Sequence, residues 1–176
     1  MLTGGKSRRM GRDKALLPIA NAPMAVRVVR ALEEAGALDV VCVGGDTPAL
    51  TALGLDAIDD DYPEGGPLGG VISGLSHADE QVTLITPCDL TEPDPAAFRS
   101  LVAVLLQSDA LVAVPIVGGV WRPLPAAFRA GSRRGLLEAF EAGERAVHRA
   151  IERLDFVSAD VGPLPDANSP EDLPPQ

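Results

Sequence analysis

The stretch QVTLITPCDL, residues 81–90, decides the fold. Its first seven residues are dominated by the β-branched and apolar side chains Val82, Thr83, Leu84, Ile85 and Thr86, which reads as a central strand of a parallel sheet. Outward on either side the period changes to that of helices. Residues 69–79 and 94–107 (DPAAFRSLVAVLLQ) each predict a helix, the second amphipathic. Farther out, PMAVRVVRALEEA at 23–35 predicts a helix with Pro23 in its first turn and Gly36 as its stop. DVVCVGG at 39–45, residues 56–59, ALVAVPIV at 110–117 and a final LDFVSA predict further strands, and two more helices fall near 132–142 and 144–153. Strands that alternate with helices specify an α/β fold with a mainly parallel sheet. The Gly118-Gly119 pair predicts a tight hairpin that turns the WRPLP segment antiparallel to the strand before it.

Composition agrees with that class. The chain has 176 residues, 46% of them hydrophobic and only 3% aromatic, so its core is built from Ala, Val, Leu and Ile. This length fits a single domain over residues 1–176. A net charge of -10 argues against nucleic acid or an anionic membrane as partner. Cys42 and Cys88 lie within apolar runs without metal-ligand spacing, which reads as reduced, buried thiols in a cytoplasmic protein. No apolar run is long enough to span a bilayer, and Met1 is not followed by a signal-peptide core.

Against the acidic background, LTGGKSRRMGRDKALL at 2–17 gathers Lys6, Arg8, Arg9, Arg12 and Lys14 around two glycines. Glycines let main-chain N–H groups approach an anion, and a helix start adds more donors. The stretch is neither a Walker-type loop nor a dinucleotide fingerprint. It reads as a polyphosphate cradle, main-chain donors holding the anion while the basic side chains neutralise its charge. Asp89 falls just past the C-terminal end of the strand at 81–87, where open α/β sheets bind ligands, and a carboxylate there suits Mg²⁺. The glycines at 65, 66, 69 and 70 offer main-chain groups that can read a base edge.

LTGGKSRRMGRDKALL resembles the LAGGxSxRMGxDK signature of the molybdenum cofactor guanylyltransferases, members of the nucleotidyltransferase superfamily. DDYPEGGPLGGVISGL at 60–75 is similar to their GPLxGIxxGL loop, PCDL at 87–90 to PCDxP, WRPLPAAF to QPLPAxY, and DANSPEDL at 166–173 to NxNTPED. The segments follow the family's order along nearly the whole chain. The resemblance implies a three-layer Rossmann-like nucleotidyltransferase fold, mainly parallel with an antiparallel strand. It implies Mg²⁺-dependent transfer of GMP from GTP to molybdopterin or its molybdenum-loaded form, with Lys14, Arg8 and Asp89 catalytic and Asp89 on the metal. Nucleotide contacts carried over by it are Leu2, Gly4, Gly5, Lys14, Asp60, Gly66, Pro67, Leu68, Asp89 and Asn168. Asp60 is the base reader it selects among Asp59, Asp60 and Asp61. Gly5 leans toward GTP, because cytidylyltransferase relatives resemble LAAG there. Molybdoenzymes or cofactor-insertion proteins are the implied recipients. A related CTP or sugar-phosphate nucleotidyltransferase, or a nucleotide-binding carrier without catalysis, stands as the alternative.

Two places depart from the pattern. Asp166 stands where an asparagine is usual, putting a carboxylate near two polyanions unless it binds metal or turns away. The apolar strand that precedes LAGG in relatives is here only Met1-Leu2, an apparently truncated first strand whose loss would leave neighbouring strands without a ladder partner. A start recorded too late is the expectation. His77 and His148 lie in helical patterns and read as packing or surface residues.

Overall fold

The computed structural model describes residues 1–4, 13–78 and 80–167. A 3-10 turn at Lys14–Leu16 leads into a small hairpin, β1 (Pro18–Ile19) and β2 (Ala22–Pro23). Ala20 and Asn21 both have positive φ, as a two-residue turn between twisted strands requires. Pro23 therefore pairs with Pro18 and stands just before the helix, a correction to its placement in the first turn. Next come α1 (Met24–Glu34), β3 (Val41–Val43), α2 (Thr47–Ala52), β4 (Asp56–Ile58), α3 (Gly66–His77) and β5 (Val82–Ile85). The remainder is α4 (Pro95–Leu106), β6 (Val112–Val117), β7 (Val120–Trp121), β8 (Ala126–Arg129), α5 (Ser132–Glu141), α6 (Val147–Ile151) and β9 (Phe156–Asp160).

Local chemistry explains the helix limits. Asp94 accepts from the Ala96 N–H at 2.8 Å and Pro95 opens α4, while Asp46 caps α2 by accepting from the Ala49 N–H at 3.0 Å. α1 buries Met24, Ala25, Val28, Val29 and Leu32 along one stripe and turns Arg30, Glu33 and Glu34 outward.

The sheet runs β4, β3, residues 1–3, β5, β8, β6, β9. β4, β3, the N-terminal residues and β5 are parallel, β8 is antiparallel to both β5 and β6, and β9 is parallel to β6. β7 folds back on β6 through the Gly118-Gly119 turn, as expected from the sequence.

Residues 1–4 join two sheet halves that share no other described pairing. The Val43 N–H donates to the Met1 carbonyl at 2.8 Å and the Thr3 N–H to Val43 at 3.0 Å. On the other edge the Leu2 N–H donates to Thr86 at 2.8 Å and the Cys88 N–H to Leu2 at 3.1 Å. β3 and β5 thus do have a ladder partner, contrary to the expectation for so short a segment. Met1 is buried, its ammonium donates to the Val41 carbonyl at 2.7 Å, and desolvation lowers its pKa to about 6.

Side-chain alternation sorts the core into layers. On β6 and β8, Val112, Val114, Ala126 and Phe128 face α3, α5 and α6, whereas Ala113 and Ala127 face α4 beside Leu101 and Leu105. Met1, Cys42 and Cys88 pack with the apolar stripe of α1 and with Phe98 of α4. The result is helix, sheet, helix, the expected three-layer arrangement. Every parallel strand points its C-terminal end toward the loops at 44–46, 59–66 and 86–91.

Candidate active site

Residues 1–4, which open the stretch expected to form a polyphosphate cradle, run out against the loop after β3. Thr3 is buried and donates its hydroxyl to the carbonyls of Val43 and Gly44 at 3.1 and 2.7 Å. Gly45 has φ +80°, and a Cβ there would lie 2.9 Å from the Thr3 carbonyl oxygen, so the crossing tolerates no side chain. Asp13 ties the next segment to the same loop. Its Oδ1 accepts from the Ala15 N–H at 3.0 Å and its Oδ2 from the Asp46 N–H at 3.2 Å. That fixes the 3-10 turn carrying Lys14.

Lys14 then reaches across the C-terminal ends of the strands. Its Nζ donates to Asp89 Oδ2 at 3.0 Å and to the Ala167 carbonyl at 2.5 Å. The two side chains are 18% and 20% exposed, open enough for a ligand to reach and closed enough for charge to matter. Asp89 sits in the turn after β5, where the Ala167 N–H donates to its carbonyl at 2.9 Å. Leu90 bridges Asp166, and the Thr91 N–H donates to Pro165 at 2.9 Å, so the C-terminal stretch is a short antiparallel partner of residues 89–91. Segments 75 and 153 residues from Lys14 thereby meet on one ammonium. Beside Asp89, burial pushes the Cys88 thiol up to about 12, which leaves it neutral.

Of the three aspartates, Asp60 turns inward. Its Oδ1 accepts from the Ser73 hydroxyl at 2.6 Å and from the Tyr62 N–H at 2.9 Å. Its Oδ2 lies 3.9 Å from where a Cβ on Gly70 would be, and that same position is 3.4 Å from Leu2 Cδ2. Asp59 is exposed and accepts from Thr47 at 3.3 Å; Asp61 is exposed, 3.9 Å from His77 Nδ1. His77 itself bonds the Ser73 carbonyl at 2.9 Å, a helix-surface role.

The glycine loop folds tightly on its own side chains. A Cβ on Gly69 would lie 2.9 Å from Tyr62 Cβ, and Tyr62 meets Phe140 edge-on at 4.9 Å between centroids. Gly66 and Pro67 are exposed at the start of α3. The Leu68 side chain is fully buried in the core beside Val71 and Leu136, and its N–H donates to the Arg145 carbonyl at 3.3 Å. Leu68 therefore lends the loop its anchor. Leu2 is half-buried and Gly4 exposed at the cradle's edge.

Arg122 brings the WRPLP and DANSP segments together: its Nη1 lies 3.5 Å from the Leu164 carbonyl and 3.7 Å from Asp166 Oδ1. Asp166 thus has a positive neighbour of its own, which offsets the carboxylate that replaces an asparagine. Gly5, Arg8 and Asn168 lie outside the described residues.

Among the described residues no group of three or more His, Cys, Asp or Glu side chains could hold a metal ion alone. Mg²⁺ rarely uses such a cage; it keeps waters and takes one or two carboxylates plus substrate phosphates. Asp89, a partly exposed carboxylate at the C-terminal end of β5, fits that need. Sequence reasoning missed Ser73, the Ala167 carbonyl and the bracing by Asp13. Asp13 directly precedes the turn, a capping signal that could have been read; the other two depend on distant segments meeting.

An α/β sheet that gathers a lysine, a carboxylate and a glycine loop at its strand C-termini has the layout of a ligand site in an open α/β fold. The molybdopterin-guanine dinucleotide biosynthesis protein A of Archaeoglobus fulgidus superposes with a TM-score of 0.80 at 20% identity, covering 97% of this chain and 92% of that one. The chain belongs to the MobA-like NTP transferase family, whose domain profile matches residues 1–157. A probable molybdenum cofactor guanylyltransferase of Pelotomaculum thermopropionicum is 34% identical over 161 residues, 90% of this chain and 77% of that protein. Another, from Chloroflexus aggregans, is 31% identical over 189 residues, 98% of this chain and 89% of its own length. No helix among the described residues is long and apolar enough to cross a membrane.

Proposed function

We propose that this chain is one nucleotidyltransferase domain that transfers GMP from GTP to molybdopterin, or to molybdopterin already carrying molybdenum. An acceptor phosphate oxygen attacks the α-phosphorus, the new P–O bond forms as the α–β bridging bond breaks, and pyrophosphate leaves with the electron pair. The barrier in such a reaction is largely the meeting of two polyanions. The observation that carries the reading is the contact of Lys14 with Asp89 at the strand ends.

Each residue has a task in this scheme. Lys14 exchanges its protein partners for triphosphate oxygens and neutralises charge as pyrophosphate departs. Asp89 would hold Mg²⁺ against the phosphates; when bound, the ion supplies further charge neutralisation. Gly4 and Gly5 bring main-chain donors to the phosphates, with Arg8 as a second clamp and Asn168 toward the acceptor. Asp60, with the main chain of Gly66, Pro67 and Leu68, reads guanine. Arg122 keeps Asp166 from opposing the acceptor phosphate. The reading includes a cytoplasmic setting and hand-over of the product to a molybdoenzyme or cofactor-insertion protein. No nucleic acid or membrane partner is part of it. The substrates are those implied by the relatives' designation as molybdenum cofactor guanylyltransferases.

The test is pyrophosphate release on mixing the chain with GTP, Mg²⁺ and molybdopterin. Stoichiometric release with GTP, lost on chelation, is the expected result. Release with CTP alone would move the protein to the cytidylyl branch, and tight GTP binding without release would make it a carrier.

A further inference from the structure

Ser73 lies on the inner face of α3, three residues beyond Gly70, and its side chain is fully buried. A serine inside a helix commonly bonds the carbonyl one turn back. This one instead engages the loop before the helix. The Asp61 N–H donates to Ser73 Oγ at 3.0 Å, which occupies the hydroxyl as an acceptor. Its single proton is then committed to Asp60 Oδ1, 2.6 Å away.

The consequence falls on Asp60. Oδ1 already takes the Ser73 hydroxyl and the Tyr62 N–H, its full ordinary capacity. Among the described residues no donor meets Oδ2, which lies on the side of Gly70 and Leu2, at the edge of the cradle. We infer that Ser73 is a positioning residue for base selection: it locks the Asp60 carboxylate so that Oδ2 alone is presented to the N–H edge of guanine. This deepens the assignment of Asp60 as base reader and rests on it. A locked carboxylate repels the acceptor edge of adenine while accepting from guanine; a carboxylate free to rotate discriminates less, because it can turn toward solvent.

The experiment is calorimetric titration of the full chain with GTP and with ATP in the presence of Mg²⁺, for wild type, Ser73→Ala, Ser73→Thr and Asp60→Asn. Ser73→Ala is expected to weaken GTP about tenfold and leave ATP unchanged. Ser73→Thr, which keeps the hydroxyl, is expected to stay within about threefold for GTP and covers the case in which the alanine variant fails to fold. Asp60→Asn tests the underlying assignment, since the amide should exchange preference from GTP to xanthosine triphosphate, whose edge carries a carbonyl where guanine has its amino group. If Asp60→Asn makes that exchange but Ser73→Ala keeps the wild-type GTP:ATP ratio, the positioning role is wrong and the base reader stands. If Asp60→Asn leaves the ratio unmoved, both fall. Equal weakening of GTP and ATP by Ser73→Ala would make the residue a support of the helix and overturn the proposal.

Discussion

Replacing Lys14 by Ala removes two hydrogen bonds from the free protein, one to Asp89 at 3.0 Å and one to the Ala167 carbonyl at 2.5 Å. Hydrogen bonds involving a charged group are each worth about 1.5–3 kcal/mol when buried, but an ion pair that retains solvent contact is worth less. With about a fifth of each side chain exposed, the expected destabilisation is about 2 kcal/mol, several degrees in melting temperature. The effect on turnover has another origin. If Lys14 moves onto the triphosphate, the variant loses a contact of about 1.5–3 kcal/mol in the transition state, a ten- to hundredfold fall in kcat/KM. The two effects separate through Asp89. In stability, Lys14→Ala and Asp89→Ala should couple by about 1–2 kcal/mol, since each leaves the other without its partner. In turnover the double variant should be little worse than Asp89→Ala, because the two act as one unit. Thermal unfolding and pyrophosphate release on the four proteins measure both. A Lys14→Ala enzyme that melts early yet keeps kcat/KM within threefold of wild type would show the lysine to be a structural tie, and the reasoning above would fail.

Three further outcomes follow from geometry already given. Gly45→Ala forces a Cβ to within 2.9 Å of the Thr3 carbonyl at positive φ; it should cost about 1–3 kcal/mol in urea unfolding, and a neutral result would mean the crossing is looser than described. Gly69→Ala meets Tyr62 at the same distance, so it should displace the base loop and raise KM for GTP more than for the acceptor. The buried Met1 ammonium gives a pH dependence whose sign is set by burial: its pKa is lowered from 8.0 to about 6, so between those values the unfolded chain holds a proton that the folded chain has released. Stability then rises from pH 6 to pH 8 and is lost as pH falls through that window, by about 2–3 kcal/mol. Urea midpoints of free and Nα-acetylated protein should differ in this slope, and identical slopes would count against the buried amine.

Long-period patterning made the layers legible. The β-branched and apolar run at 82–85 and the stripe of α1 announce a strand and a covering helix whatever their neighbours do. The short elements did not announce themselves. β1 and β2 turn through Ala20 and Asn21 without a glycine, and β8 is four residues behind a proline-rich segment, so both exist because of what they pair with. Site chemistry divided the same way. Lys14 and Asp89 stood out as charges at places where ligands bind, and the structure brings them together. The resemblance singled out Asp60, but that it alone of the three turns inward needed α3, whose buried Ser73 hydroxyl bonds its carboxylate and neither neighbour's. Arg122 beside Asp166 likewise joins residues that only the folded chain places within 3.7 Å.

Residues 1–3 are a seam between two panels of sheet, stitched by a few main-chain bonds on each side. Cooperative units of a fold are as strong as the contacts between them. The β3–β4 panel carries the Gly44–Gly45 crossing, and the panel beginning with β5 carries Asp89, so a rupture at the seam separates the cradle from the carboxylate. In deuterium exchange the amides of Leu2, Thr3, Val43 and Cys88 should open as a group, and a nucleotide spanning both panels should slow them together. The segment that leads into the glycine-rich stretch is thus also the fastener between the two panels.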